Sequence, residues 1–374
     1  MPKVIHIVEA MNNQAVENWL LRMLNHAVVS GQKPDWTFYC TVGPQGMRDE
    51  AVRRLGARVI YSAYPLANGR TFVQALRDEL KRGGYDVLHC HHDIMSAPYL
   101  LAAFMLPIRK RIVHVHNADL GLPTRSSLKT LALREPFRRI CLAADSVVGI
   151  SHHALDAMLG ARSRVPGRHL VHYYGVDPSP FFRPEERESV RRQLGISIKA
   201  RILLFGGRIV PEKNPVFAVD VLAALRCYDA NAIAVFAGAG SEEQRVLDRA
   251  RALGVDDAVR LIGWRHDLPQ IMSASDWFIL PRPEKPMEGF GLAVVEAQLA
   301  GLRLLLSRGI ANDPLLPTAR YRRLGLGEGA EAWAAAAIDV MSEPSPSLPD
   351  TFAALQASPM NMDFALADLI QLHQ

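Results

Sequence analysis

The stretch that decides the fold is RILLFGGRIVPEKNP at residues 201–215. Its apolar run, Ile202 to Phe205, predicts a buried strand, and the glycine pair at 206–207 predicts a tight turn. Asn214 and Pro215 then suit the N-cap and the first residue of a helix. A strand that passes through a short glycine loop into a helix is the building block of parallel α/β sheets.

Two cations, Arg208 and Lys213, lie on this strand-to-helix loop. Loops of this kind are where phosphate groups meet backbone N–H groups and positive charge. Two cations there would neutralise a diphosphate leaving group and so stabilise a transition state electrostatically.

The same alternation of strands and helices extends along nearly the whole chain. It predicts strands at 3–8, 36–42, 58–61, 87–90, 111–115 and 146–150, and again at 201–205, 233–237, 259–262, 277–280 and 303–306. It predicts helices at 17–29, 72–82, 218–226 and 242–252, among others. Alternation of this type favours parallel sheets covered by helices on both faces.

Two proline-rich breaks, at 177–184 and 342–349, divide this pattern. We therefore expect an α/β protein of two Rossmann-like, doubly wound domains facing each other across a cleft. The first domain is predicted to span 1–176, joined by a C-terminal helix at 351–374, and the second to span 177–350. Ligands bind at the carboxyl ends of the strands in such sheets, so two facing sheets suit a reaction of two substrates.

The second predicted domain contains an unusual carboxylate pair in EGFGLAVVE, residues 288–296. The helix expected from Leu292 onward is apolar all round, so Glu296 would be a buried charge that needs hydrogen-bond donors. No Lys, Arg or His lies within four residues of it. Ligand hydroxyls would satisfy it, and glycines on both sides of Phe290 would let a ligand approach the backbone. The alternative is a structural Glu paired with a distant Arg.

Bulk composition excludes several classes of protein. The 374 residues are 49% hydrophobic and 22% charged, as in an ordinary globular protein. The longest apolar run, residues 97–108, is too short to span a bilayer, and no secretion signal is recognisable. The four cysteines are widely spaced, which favours reduced, buried thiols and a cytoplasmic protein.

Charge is unevenly distributed. The net charge is +5, and residues 1–180 are the basic half, with clusters at 109–111 and 129–139. These clusters are either solvated faces or a surface for anionic lipid or a phosphorylated substrate. No nucleic-acid-binding motif accompanies them, so we expect no nucleic-acid partner.

Several motifs together resemble family 4 glycosyltransferases of the GT-B fold. They comprise GGRIVPEKN (206–214), the Gly238-Ala-Gly240 turn, Gly263-Trp264, Ser275-Asp276, EGFGLAVVEAQLAG (288–301), DVLHCH (86–91), VHVHN (113–117), Ser151 and Gly175-Val176-Asp177. Gly309-Ile-Ala-Asn-Asp313 replaces the usual glycine-rich segment, which is most similar to bacterial exopolysaccharide, capsule or lipopolysaccharide transferases.

The resemblance implies a role for each matching residue. Glu296 would bind the ribose of a sugar nucleotide and Glu288 the donor sugar, with His116 over that sugar from the N-terminal side. Arg208 and Lys213 would hold the leaving diphosphate. Backbone contacts would come from Gly207, Gly238, Gly240, Phe290, Gly291 and Leu292. The family mechanism retains anomeric configuration without an enzymatic nucleophile, and it needs no metal or other cofactor.

Two positions depart from the family pattern. Met11-Asn-Asn-Gln-Ala-Val-Glu17 replaces a loop that usually contains Gly-Gly before the Glu, so Asn13, Gln14 and Ala15 occupy the place where backbone meets substrate. Tyr174 replaces the usual Asn before Gly-Val-Asp. Either the loop follows another path, with polar contacts from Asn12, Asn13 or Gln14, or turnover is compromised.

A group of histidines stands apart from these motifs: His89, His91, His92, His114 and His116. Alternate residues of a strand share one face, so imidazoles here could bind Zn²⁺ together with Asp93 or Asp119. The spacing is not distinctive, and the alternatives are polar side chains lining the cleft and hydrogen-bonded histidines of the core.

The sequence thus predicts a retaining hexosyltransferase that uses a UDP-sugar, or less readily a GDP-sugar. Its acceptor would be a saccharide, lipid-linked at the inner face of the membrane. One rival is an epimerase or hydrolase, which would consume donor without acceptor. Another is a degenerate, non-catalytic partner of an active transferase, which would bind nucleotide without transferring sugar. Oligomeric state, sugar and linkage are left open.

Overall fold

The structure, a computed structural model, describes residues 1–12, 14–43, 45–118, 127–181 and 187–374, with the backbone alone for 127–131. The chain forms two compact units. The first comprises Met1–Gly175 and Pro359–Gln374, and the second comprises Val176–Ser358. Asn13, Asp119 and the end of the predicted linker lie outside the described residues.

The first unit is built on a seven-stranded sheet in the order β3-β2-β1-β4-β5-β6-β7. Every neighbouring pair is parallel. The strands are β1 Lys3–Val8, β2 Asp35–Cys40, β3 Arg58–Tyr61, β4 Val87–Cys90, β5 Lys110–Val115, β6 Ser146–Gly149 and β7 His169–Val171. Six were predicted. The half-buried edge strand β7 was not, because three residues carry too little periodicity.

Helices connect these strands and cover the sheet. They are α1 Ala15–Val29, α2 Asp49–Arg54, α3 Arg70–Gly83, α4 Ala97–Ala102, α5 Ser127–Leu142 and α6 His152–Leu159. In α1, Trp19, Leu20, Met23 and Leu24 recur at helical spacing and are completely buried. That spacing places one apolar face of α1 in the core of the unit.

The second unit contains a six-stranded parallel sheet in the order β10-β9-β8-β11-β12-β13. Its strands are β8 Arg201–Gly206, β9 Ala232–Ala237, β10 Val259–Gly263, β11 Trp277–Leu280, β12 Arg303–Ser307 and β13 Tyr321–Leu324. The predicted strands are present with ends shifted by one residue at most. The edge strand β13 was missed, since its polar residues Arg322 and Arg323 obscure the pattern.

The remaining helices are α7 Arg187–Gln193, α8 Pro215–Leu225, α9 Glu243–Ala252, α10 Leu268–Ser273, α11 Leu292–Leu299, α12 Gly329–Ser342, α13 Leu348–Gln356 and α14 Met362–His373. Two buried indoles fix α12. Trp277 of β11 donates to the Ala337 carbonyl at 2.9 Å, and Trp333 of α12 donates to the Gly325 carbonyl at 3.1 Å. Helix α14 returns to the first unit, where Asp363 bonds His26 of α1 at 2.6 Å.

Strand order determines where ligands can bind. In each sheet, successive strands are added first on one side of the starting strand and then on the other. The strand order therefore reverses once, between β1 and β4 in the first unit and between β8 and β11 in the second. The crevice at the carboxyl ends of such a strand pair is the usual ligand site of open α/β sheets. The expected fold class, two Rossmann-like parallel-sheet domains, is therefore confirmed.

The cysteine prediction is only partly right. All four thiols are free, and Cys40, Cys90 and Cys141 are buried, but Cys227 is exposed. It lies two residues beyond Leu225, the buried last residue of α8, where the chain has left the core.

Candidate active site

Two cations lie immediately after β8, at the strand-order reversal of the second sheet. Arg208 is exposed and Lys213 is half-buried in the short turn that precedes α8. Neither forms an ion pair within the described part of the chain, although most arginines of this unit do. Cations left without a carboxylate at the end of a parallel strand suit an anionic ligand. Asn214 occupies the predicted N-cap position but adopts φ +51°, and its side chain makes no cap hydrogen bond.

The glycines beside these cations hold two loops in backbone contact. A Cβ on Gly238 would lie 1.9 Å from the Gly207 carbonyl oxygen, and one on Gly240 would lie 2.1 Å from that of Ile209. Gly207 N donates to the Ala237 carbonyl at 2.9 Å, which locks the two loops together. Any side chain at 238 or 240 would therefore displace the loop that carries Arg208.

The start of α11 presents a free helix end at the neighbouring strand. Gly291 is the N-cap with φ +86°, a conformation that favours glycine, and no side chain caps the helix. Phe290 is 2% exposed and anchors the turn, while Leu292 is the first helical residue. An uncapped N-terminus leaves amide groups for an anion or a sugar hydroxyl.

Glu288 has a partner that the sequence analysis did not find. Its Oε2 accepts a hydrogen bond from Arg282 Nη1 at 3.0 Å, and both side chains are largely buried. Arg282 also donates to the Pro286 carbonyl at 3.0 Å. This pair fixes one carboxylate oxygen of Glu288 and leaves the other for a ligand. In the sequence, only the position of Arg282 six residues before Glu288 could have indicated this pair.

Glu296 is less enclosed than expected. It is half-buried on α11, whereas Val294, Val295, Ala297 and Leu299 around it are buried. The helix is thus in the core as predicted, but its carboxylate-bearing side reaches the surface of the unit. Gln298, which is buried, donates to the Pro314 carbonyl at 2.8 Å and fixes the loop that follows β12.

The first loop of the N-terminal unit lies at the other strand-order reversal, after β1. Gln14 is exposed with φ −95°, and Ala15 begins α1, so neither needs the left-handed backbone that Gly-Gly would allow. Asn12 Oδ1 accepts from Met47 N at 3.0 Å, and Gln14 Nε2 contacts Glu9 Oε2 at 3.4 Å. The described part of this loop therefore makes polar contacts of its own. This agrees with the first of the two alternatives expected from the sequence, in which the loop follows another path.

Glu17, in the first turn of α1, is 4% exposed, and burial raises its pKa to about 7, against opposing hydrogen bonds from backbone amides. The folded state therefore binds this proton more tightly than the unfolded state. The contribution of Glu17 to stability is present at pH 4.5 and is lost as the pH rises to about 7, at a cost of about 3 kcal/mol. We expect Glu17→Gln to be the more stable protein at pH 8, with an advantage that shrinks as the pH is lowered to 6, where the unit is still folded, measured by urea unfolding. A matched change of the exposed Glu50 should show no such pH dependence.

The predicted histidine group belongs to the core of the first unit. His89 and His114 are completely buried, and His91 and His116 are 4% and 6% exposed. His116 bonds Tyr174 Oη through Nδ1 at 2.7 Å and His91 through Nε2 at 3.1 Å. Burial lowers the pKa of His116 to about 3, so its ring is neutral at physiological pH. Within the unit these side chains are core residues, which corrects the interpretation that they line a cleft.

Other predicted features serve the fold. Arg111 donates to the carbonyls of Ala103, Leu106 and Ile108, so the 109–111 cluster is partly structural. In α5, Arg138 and Arg139 both pair with Glu135. In the second unit, Asp276 accepts from Arg187, Arg191 and Ile202 N at the amino ends of β8 and β11, away from the candidate site.

Two family models match the chain over adjoining segments. Residues 16–180 match Glycosyltransferase Family 4, and residues 186–345 match Glycosyl transferases group 1. The second match contains the strand-order reversal of the second unit and the loops that carry Arg208, Lys213 and Glu288. The first match begins at residue 16, so β1 and the first loop up to Ala15 precede it. The chain belongs to the family 4 glycosyltransferases of the GT-B fold.

Individual proteins show the same similarity. EpsF of Bacillus subtilis, named as a glycosyltransferase, is 25% identical over 89% of this chain and 86% of its own length. UDP-Gal:alpha-D-GlcNAc-diphosphoundecaprenol alpha-1,3-galactosyltransferase of Escherichia coli is 26% identical over 72% of this chain and 69% of its own. The Anabaena protein Alr3699/HepE, solved with UDP-glucose, superposes with a TM-score of 0.77 at 18% identity, covering 99% of this chain and 100% of the other.

Among the described residues, none of the helices combines the length and the apolar character needed to cross a membrane.

Proposed function

We propose that this family 4 transferase moves a hexose from a UDP-sugar to a saccharide acceptor carried on a lipid diphosphate, with retention of configuration, in bacterial surface polysaccharide synthesis. The observation that carries the proposal is the pair of cations Arg208 and Lys213, which form no ion pair within the described residues. They lie on a glycine-rich loop after β8, and the uncapped start of α11 follows the neighbouring strand β11. A relative that uses UDP-Gal with a diphosphoundecaprenol-linked acceptor, and a structural neighbour solved with UDP-glucose, support the donor and acceptor classes.

Each residue has an assigned part in this proposal. Arg208 and Lys213 hold the β-phosphate as the bond between it and the sugar breaks. Glu296 binds the ribose hydroxyls, and the oxygen of Glu288 not bonded to Arg282 binds the donor sugar. Backbone amides at Phe290, Gly291 and Leu292 meet the diphosphate or sugar, with Gly207, Gly238 and Gly240 allowing close approach.

The transfer step needs no nucleophile from the protein. The bond from sugar C1 to the diphosphate breaks, and the acceptor oxygen bonds C1 on the same face. The acceptor proton passes to the departing phosphate oxygen, so the products are the lengthened saccharide and UDP. The two cations neutralise the leaving charge, which is why no metal is required at the diphosphate.

The N-terminal unit supplies the acceptor side and the ring of His116. Both ring nitrogens of His116 are hydrogen-bonded within the unit and the ring stays neutral, so we assign it no proton transfer. Its contact with the donor sugar is made by a carbon edge of the ring. Asn13, Gln14 and Ala15 lie at or near the acceptor in this proposal. The proposal also includes a cytoplasmic location with peripheral contact to anionic lipid.

The central test is the nucleotide affinity of Glu296→Ala. Loss of hydrogen bonds to a charged group should weaken UDP binding by about 1.5–3 kcal/mol, or roughly 10–150-fold in Kd. Calorimetric titration with UDP, GDP, UDP-glucose and UDP-galactose measures this directly. Glu331→Ala, at an exposed position of α12, is the matched control. Unchanged UDP affinity in Glu296→Ala would overturn the assignment of the donor site.

A non-catalytic partner protein is the second candidate, favoured by the absence of Gly-Gly in the first loop. It predicts normal UDP binding without release of UDP from a UDP-sugar, even when membranes that contain the native lipid-linked acceptor are added. Measurable transfer under those conditions would eliminate it.

A further inference from the structure

The core of the N-terminal unit contains two chains of hydrogen-bonded imidazoles. In one, His6 Nδ1 contacts His91 Nε2 at 3.0 Å, and His91 Nδ1 contacts His116 Nε2 at 3.1 Å. In the other, His373 Nε2 contacts His89 Nδ1 at 3.0 Å, and His89 Nε2 contacts His114 Nδ1 at 3.1 Å. Apolar side chains would pack this layer at lower cost, because each buried polar nitrogen requires a partner.

The two chains approach each other at three histidines. His91, His114 and His116 each present a ring nitrogen, and the three nitrogens lie within 4.8 Å of one another. His91 Nδ1 and His116 Nε2 are 3.1 Å apart. Two imidazole nitrogens bound to one tetrahedral zinc ion are separated by about 3.3 Å, so this pair already has nearly the spacing of two zinc ligands.

The third member leaves a nitrogen without a partner. His114 is completely buried, and its Nε2 makes no hydrogen bond within the described residues. The indole N–H of Trp19, whose ring centre lies 5.3 Å from that of His114, is also unsatisfied there. Orphaned polar atoms in a core indicate a group that the polypeptide alone does not supply.

The outer nitrogens have the partners expected around a metal. Histidines that bind metal nearly always hydrogen-bond through their other ring nitrogen, which fixes the tautomer and orients the ring. Here His116 Nδ1 meets Tyr174 Oη at 2.7 Å, His91 Nε2 meets His6, and His114 Nδ1 meets His89. Each ring thus has one nitrogen bonded to a neighbour outside the trio, which leaves the other as the candidate ligand.

We propose that His91, His114 and His116 bind one divalent zinc-type ion in the core of the N-terminal unit. Each imidazole stays neutral and keeps its single proton on the outer nitrogen, so binding needs a change of tautomer and no net loss of protons. A water in the fourth position would accept from the Trp19 indole. The ion links β5 to the residues directly after β4 and β5, next to Trp19 of α1. It takes no part in the diphosphate chemistry proposed for the second unit.

The test uses the full-length protein in the Cys227→Ser background, which removes the one exposed thiol. We expect one zinc per chain by elemental analysis after purification from Zn²⁺-containing medium, and tetrahedral d–d absorption after chelation and reloading with Co²⁺. His114→Gln and His91→Gln should each lose the ion and the Co²⁺ spectrum, while His153→Gln, on the outer helix α6, should keep both.

Melting temperatures separate loss of ligand from loss of fold. Added Zn²⁺ should raise the melting temperature of the chelated parent and of His153→Gln, but not that of a folded His114→Gln. A chelated parent that takes up no Zn²⁺ or Co²⁺, or metal uptake that is equal in the parent and in His114→Gln, would overturn the proposal.

Discussion

Lowering the pH from 7.5 to 5 is expected to unfold the N-terminal unit while the second unit is still folded. Burial lowers the pKa of His6 and His116 to about 3 and holds the pKa well below its usual value in the others of the layer, His89, His91, His114 and His373. In the unfolded chain these groups titrate near pH 6.5. The folded unit therefore binds fewer protons, and its stability falls as the pH drops below 6.5.

The expected loss is large because six groups act together. Each histidine costs about 1.4 kcal/mol per pH unit below its unfolded pKa, which gives about 2 kcal/mol each at pH 5. The sum is on the order of 10 kcal/mol, comparable to the whole stability of a domain.

The second unit is a natural control because His266 is its only histidine. Unfolding should be followed by circular dichroism and urea titration of chelated protein between pH 7.5 and 4.5. His6→Phe, which places a ring beside Trp36 and Phe38, should reduce the pH dependence by about 1.4 kcal/mol per pH unit. His266→Asn should not change it. Simultaneous unfolding of both units, or a transition only below pH 4, would contradict the prediction.

The second large effect concerns Arg208→Ala, for which we expect kcat to fall by about 10²–10³, the range for a lost transition-state donor. The reason is geometric. Arg208 is exposed at the end of β8 without an ion-pair partner in the described chain, so its charge is available to the diphosphate as negative charge develops there. Ground-state binding of the donor should change much less, because Lys213 and the amides of α11 also contact it in the proposed complex.

Two quantities are measured for each variant. The first is the initial rate of UDP release with a lipid-diphosphate-linked saccharide as acceptor, and the second is the calorimetric Kd for the UDP-sugar. Arg208→Lys should recover part of the rate, since it restores the charge without the planar guanidinium. Arg251→Ala, which removes an exposed arginine paired with Asp248 on α9, is the matched control. A rise in Kd as large as the fall in kcat/KM, with kcat unchanged, would show that Arg208 merely holds the donor.

Much of the fold was already determined by local sequence. Strands of a parallel sheet are buried on both faces, so β8 and β11 appear as uninterrupted apolar runs at 202–205 and 277–280. Glycine punctuates the turns after β8 and β9 because no other residue fits where two backbones touch, as at Gly238. The loop position of Arg208 and the helix position of Glu296 followed from the same local rules.

Tertiary structure decided what sequence spacing could not. The pairing of Glu288 with Arg282 and the partial exposure of Glu296 depend on how the β11 and β12 loops fold against each other. Strand periodicity placed His89 and His91 on one face, but not beneath α1 and α14. That burial brings His373, from the far end of the chain, to 3.0 Å from His89. Local pattern fixes which side chains share a face, and only the packing of distant segments fixes what covers that face.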